Sequence, residues 1–401
     1  MSPNRFVASQ LLVAAFLLIA PLGVSPAAAQ SSAREHAALV SAALRSSPAL
    51  AEGKYAVVVD LDANRLHYMQ GRNILWSAPV GTGAALRLET GNKKWDFSTP
   101  TGVYHVQYKE ENPVWIAPDW YFIENGLPVP PQNDKQRFFP NGLGAAAVYI
   151  GRGLAIHGTD KPDLLGQRVS HGCIRLENKY AQRLFHNVQT GTEVVIIGEE
   201  KEEPRVVGAG VKPPGAGPAD PATQRVRDRA KAERERVLKE LAGLSTEKLV
   251  ARLEEELESR TVAEEGARWP ELAGELVRRV RKDDAAAASG LLDLIGTVRD
   301  RRVRAEYGTF VVDAYSRGAP LVTRVLAGMD EAARERVAGT IVESAIALYH
   351  GGADEPVTPW PTRRIPRMVL EEDAQQGWDV LAGAERSYRE TRRIGIARGG
   401  G

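Results

Sequence analysis

The chain has 401 residues, 43% of them hydrophobic, so it is long and apolar enough for two or three folded domains and is not a wholly disordered protein. Its 52 Lys and Arg nearly balance its 51 Asp and Glu, so net charge gives no electrostatic reason to bind nucleic acid or an anionic membrane. The single Cys excludes an intramolecular disulfide and any CxxC zinc or redox site.

The first 29 residues have the pattern of a secretory signal peptide. Arg5 precedes an uncharged apolar stretch at 11–20, and three alanines at 27–29 form a small-residue cleavage site before Gln30. An uncleaved membrane anchor is the alternative, but the apolar stretch is shorter than the roughly 20 residues of a membrane span. We therefore predict export to the periplasm or cell envelope, with no stable membrane span after cleavage.

Composition divides the remaining chain, because charged residues are much denser in its second half. Five segments are predicted: a lead-in at 30–52, a strand-rich domain at 53–198, a Pro/Gly-rich linker at 199–222, an α-helical domain of unknown role at 223–390, and a disordered tail at 391–401.

Strand patterns dominate the region 53–198. Runs at 55–59 and 65–69 around an Asp-Ala-Asn turn predict one hairpin, and Gly151-Arg152-Gly153 predicts the turn of another. Residues 103–108 are predicted as one extended segment. Strands are also expected at 74–80 and 192–197.

One helix is predicted in this region, with Asn178 as its cap. Its apolar stripe consists of Ala181, Leu184, Phe185 and Val188. His186 lies off this stripe, so its side chain is expected to be solvated.

The chemically reactive residue types are concentrated in two stretches, Ile156-His157-Gly158-Thr159 and Ser170-His171-Gly172-Cys173-Ile174-Arg175-Leu176. A free thiol is only a few per cent ionised at neutral pH, so a thiol nucleophile needs a neighbouring base or cation, which a His supplies. Gly172 leaves room for a substrate carbonyl and for backbone amides that hold an oxyanion.

Two other interpretations of Cys173 remain open. A lone Cys is often an inert buried side chain, although the Ser, His, Gly and Arg around this one favour a reactive site. His157, His171 and Cys173 also have the ligand types of a zinc site, but their spacing matches no motif with a physical basis.

These motifs resemble the signature of the L,D-transpeptidase catalytic domain, also called YkuD-like. Val80-Gly81-Thr82-Gly83, Thr99-Pro100-Thr101-Gly102 and Asn112-Pro113-Val114-Trp115 resemble further motifs of that family. The resemblance implies a mainly β catalytic domain, a YkuD-like mixed β-sandwich with short helices, followed here by an all-α helical domain.

The resemblance also implies roles for individual residues. Cys173 is the nucleophile and His157 its general base, held by a backbone carbonyl; His171 lines the site, and the amides of Gly172 and Cys173 contribute to the oxyanion hole. Arg175 binds a substrate carboxylate or fixes the loop. Ser170 supports His171 by hydrogen bonding, and Ser170, Gly158 and Thr159 are expected at the substrate. No metal or cofactor is implied.

The implied chemistry is acyl transfer on peptidoglycan stem tetrapeptides through a thioester. The acceptor is a second stem peptide, the lysine of a wall-anchored lipoprotein, a D-amino acid or water. A catalytically silent wall-binding or scaffold protein is the alternative function.

Two further regions leave their roles open. The insertion at 112–144 is rich in Pro, Trp and Phe, and is either a substrate-facing cap or a packed structural loop. In the second half, Ser245 is a predicted helix cap and Pro270 a first-turn residue. Stripes such as Leu291, Leu294, Ile295 and Val298 indicate a helical bundle or array.

Overall fold

The computed structural model describes residues 26–199, 204–213, 220–259, 261–264, 266–348 and 370–398. Residues 1–25 of the predicted signal segment lie outside the described residues. Contacts divide the chain into two units, Met1–Ser41 and Ala42–Gly401, and the sheets, hydrophobic cores and cavities described below belong to the second. Among the described residues, no helix combines the length and the apolar character that crossing a membrane requires.

The strands lie almost entirely in the first half of the chain. They are β1 (Tyr55–Asp60), β2 (Arg65–Gln70), β3 (Asn73–Pro79), β4 (Thr82–Gly83), β5 (Leu86–Thr90), β6 (Lys93–Asp96), β7 (Gly102–His105), β8 (Tyr108–Glu111), β9 (Val114–Ile116), β10 (Phe138–Pro140), β11 (Ala146–Gly151), β12 (Leu154–Thr159), β13 (Arg168–Ser170), β14 (Ile174–Glu177), β15 (Glu193–Ile197) and β16 (Arg205–Val207).

The helices lie mainly in the second half. They are α1 (Pro26–Ser46), α2 (Pro48–Ala51), α3 (Asp119–Glu124), α4 (Asn178–Asn187), α5 (Pro221–Gly243), α6 (Thr246–Glu258), α7 (Trp269–Val280), α8 (Ala285–Asp293), α9 (Arg301–Gly328), α10 (Glu331–Leu348) and α11 (Glu372–Arg398). The expected order of a strand-rich region followed by a helical one is confirmed.

Two sheets form the centre of the strand-rich region. One has the strand order β3-β2-β1-β15-β7 and the other β14-β12-β11-β8. Alternate side chains of β1, such as Val57 and Val59, share one hydrophobic core with Val148, Ile156 and other residues of the second sheet. This packing explains the long β-branched runs, because burial of both sheet faces removes the need for polar alternation.

Both predicted hairpins are confirmed. In the first, Asp60 Oδ1 accepts the backbone amides of Asp62 and Ala63, and Asn64 adopts a left-handed conformation that suits its side chain. In the second, β11 and β12 pair in antiparallel register around the Gly-Arg-Gly turn.

The prediction of one strand at 103–108 is wrong. Strand β7 pairs with β15 in the first sheet, whereas β8 pairs with β11 in the second. Between them, the Val106 amide donates to the Thr192 carbonyl and the Gln107 amide donates to the Tyr149 carbonyl. The chain therefore passes from the first sheet to the second at these two residues. A local hydrophobic pattern does not indicate that two halves of a segment pair with different partners.

Three local predictions need correction, and one is confirmed. The stripe Leu291 to Val298 is not one helix, because α8 ends at Asp293 and a short 3₁₀ turn follows. Residues 205–207 of the predicted linker form β16, which pairs with β5. Helix α11 continues to Arg398, into the predicted disordered tail. Ser245 does cap α6, accepting the amide of Lys248.

The helical region packs directly on the strand-rich region. Val312, Ala345 and Leu348 of α9 and α10 belong to the same hydrophobic core as the two sheets. The Tyr55 hydroxyl on β1 donates to the carbonyl of Ala305, and Arg183 of α4 makes a bidentate ion pair with Glu306. The two regions therefore share a core and a set of buried polar contacts.

Asp313 lies at the centre of this contact. Its carboxylate accepts hydrogen bonds from Lys109 Nζ at 2.9 Å, His186 Nδ1 at 2.8 Å and Arg317 Nε at 3.0 Å. Burial alone raises the pKa of Asp313, but the charges and hydrogen bonds of Lys109, His186 and Arg317 outweigh it and hold the pKa below its usual range. His186, expected to be solvated, is buried. That expectation is wrong because its partner comes from a helix more than a hundred residues away.

Candidate active site

The loop that carries Cys173 connects β13 to β14 and is held by two hydroxyl groups. Ser170 Oγ donates to the carbonyl of Cys173 at 2.5 Å and accepts the amide of Gly172 at 3.1 Å. Thr99 Oγ1, from the Thr-Pro-Thr-Gly motif, donates to the carbonyl of Gly172 at 2.7 Å. Ser170 therefore supports the loop backbone, and not the His171 side chain as expected.

Gly172 has a conformational role. Its φ of +116° is one that L side chains rarely adopt, and a Cβ there would lie 3.1 Å from the carbonyl oxygen of Ser98. Its amide already donates to Ser170. The expected oxyanion donor at Gly172 is thus engaged inside the loop, and the amide of Cys173 is the remaining candidate of the pair.

Cys173 is half-buried immediately before β14. Its Sγ lies 3.8 Å from the carbonyl oxygen of Gly153. Burial raises the pKa of the thiol, and a hydrogen bond with the backbone of Ala155 and the positive charge of Arg175 oppose this rise. The resting side chain is therefore mainly the neutral thiol.

His157 lies on β12, which pairs in parallel with β14, so that Ile156 and His157 stand opposite Ile174 and Arg175. Its Nδ1 is 2.8 Å from the carbonyl oxygen of Gly158. Because a carbonyl only accepts, Nδ1 carries the proton and Nε2 keeps its lone pair. Burial and then the charge of Arg175 lower the pKa of His157 to about 4, so the imidazole is neutral at physiological pH.

Cys173 and His157 line one cavity of about 390 Å³. Burial therefore favours the neutral form of both the Cys173 thiol and the His157 imidazole.

Alkylation of Cys173 tests this resting state. We expect its rate with iodoacetamide to rise with pH through a midpoint above the usual thiol value of about 8.5. Arg175→Gln removes a charge that favours the thiolate, so it should move the midpoint higher. Mass spectrometry follows the reaction without ambiguity, since the chain has a single Cys. A midpoint below the usual value would contradict the neutral pair.

His171 is held from three sides. Its Nε2 contacts the buried carboxylate of Glu124, its ring stacks on Trp120 at 4.0 Å, and Phe97 meets it edge-on at 4.6 Å. Burial lowers the pKa of His171, whereas Glu124 raises it. The expectation that His171 lines the site agrees with its place in the cavity. Glu124 was not anticipated, because no sequence signal links the insertion to this His.

Removing the Glu124 carboxylate should change the titration of His171. In Glu124→Gln the negative charge that favours imidazolium is lost, so we expect the pKa of His171 to fall further. NMR titration of ¹³C-labelled imidazoles measures this shift. Glu110→Gln, at an exposed position on β8, is the control and should leave it unchanged. A pKa of His171 that stays constant or rises in Glu124→Gln would show that the two groups are not coupled.

The positive groups of the cavity are Arg175, Lys161 and Lys212. Among the described residues, the guanidinium of Arg175 forms no ion pair or side-chain hydrogen bond, so the alternative role of fixing the loop by an ion pair is not what the structure has. The pKa values of both Arg175 and Lys161 are lowered, mainly by burial. Cationic side chains that line a partly buried cavity favour an anionic ligand.

Gly158 and Thr159 were both expected at the substrate, but only Thr159 lines the cavity. Gly158 is absent from the cavity lining, and a Cβ there would lie 2.3 Å from Asn178 Oδ1. Asn178 was expected to cap α4, but its side chain bridges the amide of Ala145 and the carbonyl of Thr159. Gly158 thus makes room for that bridge, whereas Thr159 does line the cavity.

The insertion forms one wall of the cavity. Trp115, Trp120, Tyr121 and Phe139 line it, in agreement with a substrate-facing cap. The same segment is also internally packed, since the Arg137 guanidinium is buried and donates to the carbonyls of Ala117, Pro130 and Pro131. The insertion is therefore a packed loop whose aromatic side chains also form a wall of the cavity.

In the portions of the chain that the structure describes, no three His, Cys, Asp or Glu side chains come together as a metal ion would require.

The strand-rich region of the chain is similar to known proteins. The family model "L,D-transpeptidase catalytic domain" (YkuD) matches residues 54–196. A "Probable L,D-transpeptidase ErfK/SrfK" of Salmonella typhimurium is 35% identical over 151 residues, covering 35% of this chain and 43% of that protein. A "Putative L,D-transpeptidase YqjB" of Bacillus subtilis is 34% identical over 145 residues, 36% of this chain and 72% of that protein.

Among solved structures, the catalytic domain of the E. faecium L,D-transpeptidase is 21% identical, with 36% of this chain and 98% of that chain covered and a TM-score of 0.26.

The chain thus contains a YkuD catalytic domain at residues 54–196. It belongs to the L,D-transpeptidase family. The match spans 43–44% of the length of the ErfK/SrfK proteins, and the helical region from α5 onward lies outside the matched residues.

Proposed function

We propose that this protein is an exported cysteine L,D-transpeptidase that acts on peptidoglycan stem tetrapeptides, in cell-wall biogenesis and maintenance of cell shape. The proposal is carried by one observation: Cys173 and a His157 whose Nδ1 is held by the Gly158 carbonyl line the same cavity. Family membership and the signal-like segment at the start of the sequence support it.

The first step is acylation. His157 Nε2 takes the thiol proton while Cys173 Sγ attacks the carbonyl carbon that links the third residue to the terminal D-alanine. The C–N bond breaks, the imidazolium returns its proton to the leaving amine, and D-alanine departs. The oxyanion faces the amide of Cys173, because the Gly172 amide is engaged.

The second step transfers the acyl group to an acceptor. A neutral amine attacks the thioester carbon, gives its proton to His157, and Cys173 leaves and is reprotonated. The thioester conserves acyl-transfer potential, so no nucleotide is needed. A stem peptide gives a cross-link, a lipoprotein lysine gives wall anchoring, a D-amino acid gives exchange, and water gives carboxypeptidase activity.

Substrate recognition follows from the cavity's charge and shape. Arg175 and Lys161 supply cations for the carboxylates of a stem peptide, and the aromatic wall at Trp115 and Trp120 supplies apolar surface. Lys212 adds a third cation from outside the matched family domain.

The test is incubation of the purified protein with disaccharide tetrapeptide and several candidate amines, followed by mass spectrometry of the products. The proposal expects loss of D-alanine together with a new amide to at least one amine, and unchanged rates in the presence of a metal chelator. Unchanged tetrapeptide would contradict it and favour the silent scaffold.

A further inference from the structure

Helix α5 carries a buried arginine. Most side chains of this helix are exposed, and Arg227 and Leu241 are its buried residues. Burying a guanidinium costs free energy unless its charge is paired and its donors are satisfied. Because α5 lies outside the matched family domain, the acylation chemistry gives no reason for a buried charge at this place.

The partner of Arg227 is Asp163, in the loop that joins β12 to β13. Nε and Nη2 of the guanidinium each donate at 2.8 Å, one to each carboxylate oxygen. The exposed fraction is 9% for the Arg227 side chain and 21% for that of Asp163. The mutual hydrogen bonds lower the pKa of Asp163 and raise that of Arg227. A bidentate pair fixes orientation as well as distance, so α5 holds the loop at Asp163.

The loop that Arg227 holds connects the two halves of the candidate active site. It follows β12, which carries His157, and leads into β13 and then the Cys173 loop. Its first part is a 3₁₀ turn at Pro162–Leu164. Its later part is fixed within the strand-rich region, where the amide of Gly166 donates to the carbonyl of Val80 at 2.9 Å. The contact with Arg227 therefore anchors the turn from outside that region.

Lys161 lies in the same loop, two residues before Asp163, and its side chain lines the candidate active-site cavity. Burial lowers its pKa, and the charges of Arg175 and Arg227 lower it further. The charges of Asp160 and Asp163 oppose this fall. The Arg227–Asp163 pair is thus close enough to act on the Lys161 ammonium group, and it holds the turn next to which that group enters the cavity.

We propose that Arg227 is a positioning residue for the candidate active site. Through Asp163 it holds Lys161 where the ammonium group binds a carboxylate of the stem peptide. The helical region thereby contributes to substrate binding and not to the bond-making steps. The substrate contact of Lys161 rests on the proposed function, whereas the anchoring of the loop by α5 does not.

Steady-state release of D-alanine from disaccharide tetrapeptide tests the substrate contact. Arg227→Gln and Asp163→Asn should each raise KM at least about fivefold and leave kcat within about twofold, because the pair touches no reacting atom. Arg229→Gln, at an exposed position on α5, should change neither constant. In a Lys161→Gln background, Arg227→Gln should raise KM no further. Wild-type KM in both pair variants, or an undiminished rise in that background, would overturn the proposal.

Amide hydrogen exchange tests the anchor without turnover. Peptides that cover 160–167 should exchange at least about fivefold faster in Arg227→Gln than in the wild-type chain, with no change in Arg229→Gln. Unchanged exchange in Arg227→Gln would overturn the anchor even if the wild-type chain releases D-alanine. A wild-type chain that releases none contradicts the proposed function instead, and the exchange result still decides the anchor. If Arg227→Gln does not fold, Asp163→Asn decides both experiments, since it breaks the same pair.

Discussion

Cys173→Ala is expected to reduce release of D-alanine from disaccharide tetrapeptide by at least about a thousandfold, because no other thiol in the chain can take the acyl group. Cys173→Ser should fail nearly as completely. A neutral hydroxyl is much harder to deprotonate than a thiol, and His157, with a pKa of about 4, is a weak base. The initial rate of D-alanine release measures both variants.

His157→Gln separates the two members of the pair. It keeps the nucleophile but removes the proton acceptor, so the rate should fall by roughly a hundredfold or more. The controls are the thermal midpoints of all three variants, which show whether the fold survives. Turnover within about tenfold of wild type in Cys173→Ala, with the fold intact, would remove the nucleophile from the account.

Asp313→Ala should destabilise the whole chain by about 3–5 kcal/mol, the range found when one partner of a buried ion pair is removed. The substitution leaves Lys109 and His186 without their carboxylate partner, and Arg317 with only Glu111 at 3.6 Å, at a site where 1% of the Asp313 side chain is exposed. Because Lys109 lies on β8 and Asp313 on α9, the loss falls on the contact between the two regions. Urea unfolding followed by circular dichroism measures the free energy.

Glu371→Ala is the matched control for this experiment. Glu371 also pairs with an arginine, Arg324 at 2.8 Å, but 78% of its side chain is exposed. Exposed pairs contribute no more than about 1 kcal/mol. If Asp313→Ala costs no more than Glu371→Ala, the buried network does not hold the two regions together.

Local features were predictable from the sequence, because their causes are local. The hairpin at β1 and β2 needs only β-branched runs and an Asx turn, and the Ser245 cap needs only the amide three residues onward. The split of 103–108 between two sheets was not predictable, since it depends on the carbonyls of Thr192 and Tyr149.

The site also combines residues that the local sequence reveals with contacts that only the folded chain makes. Cys173 and His157 stand out by residue type and motif, and β12, which carries His157, pairs with β14, which begins directly after Cys173. Glu124 and the engaged amide of Gly172 could not be foreseen, because each depends on a contact made only in the folded chain. His186 was misjudged for the same reason: its stripe position predicts exposure within α4 alone, while α9 covers it.

The measurement that tests the central claim most directly is the intact mass of the protein during incubation with disaccharide tetrapeptide and no added amine. We predict a transient increase equal to the tetrapeptide derivative minus D-alanine, located by peptide mapping on the fragment that contains Cys173. Release of D-alanine with the protein mass unchanged throughout, or an adduct on any other fragment, would contradict the thioester.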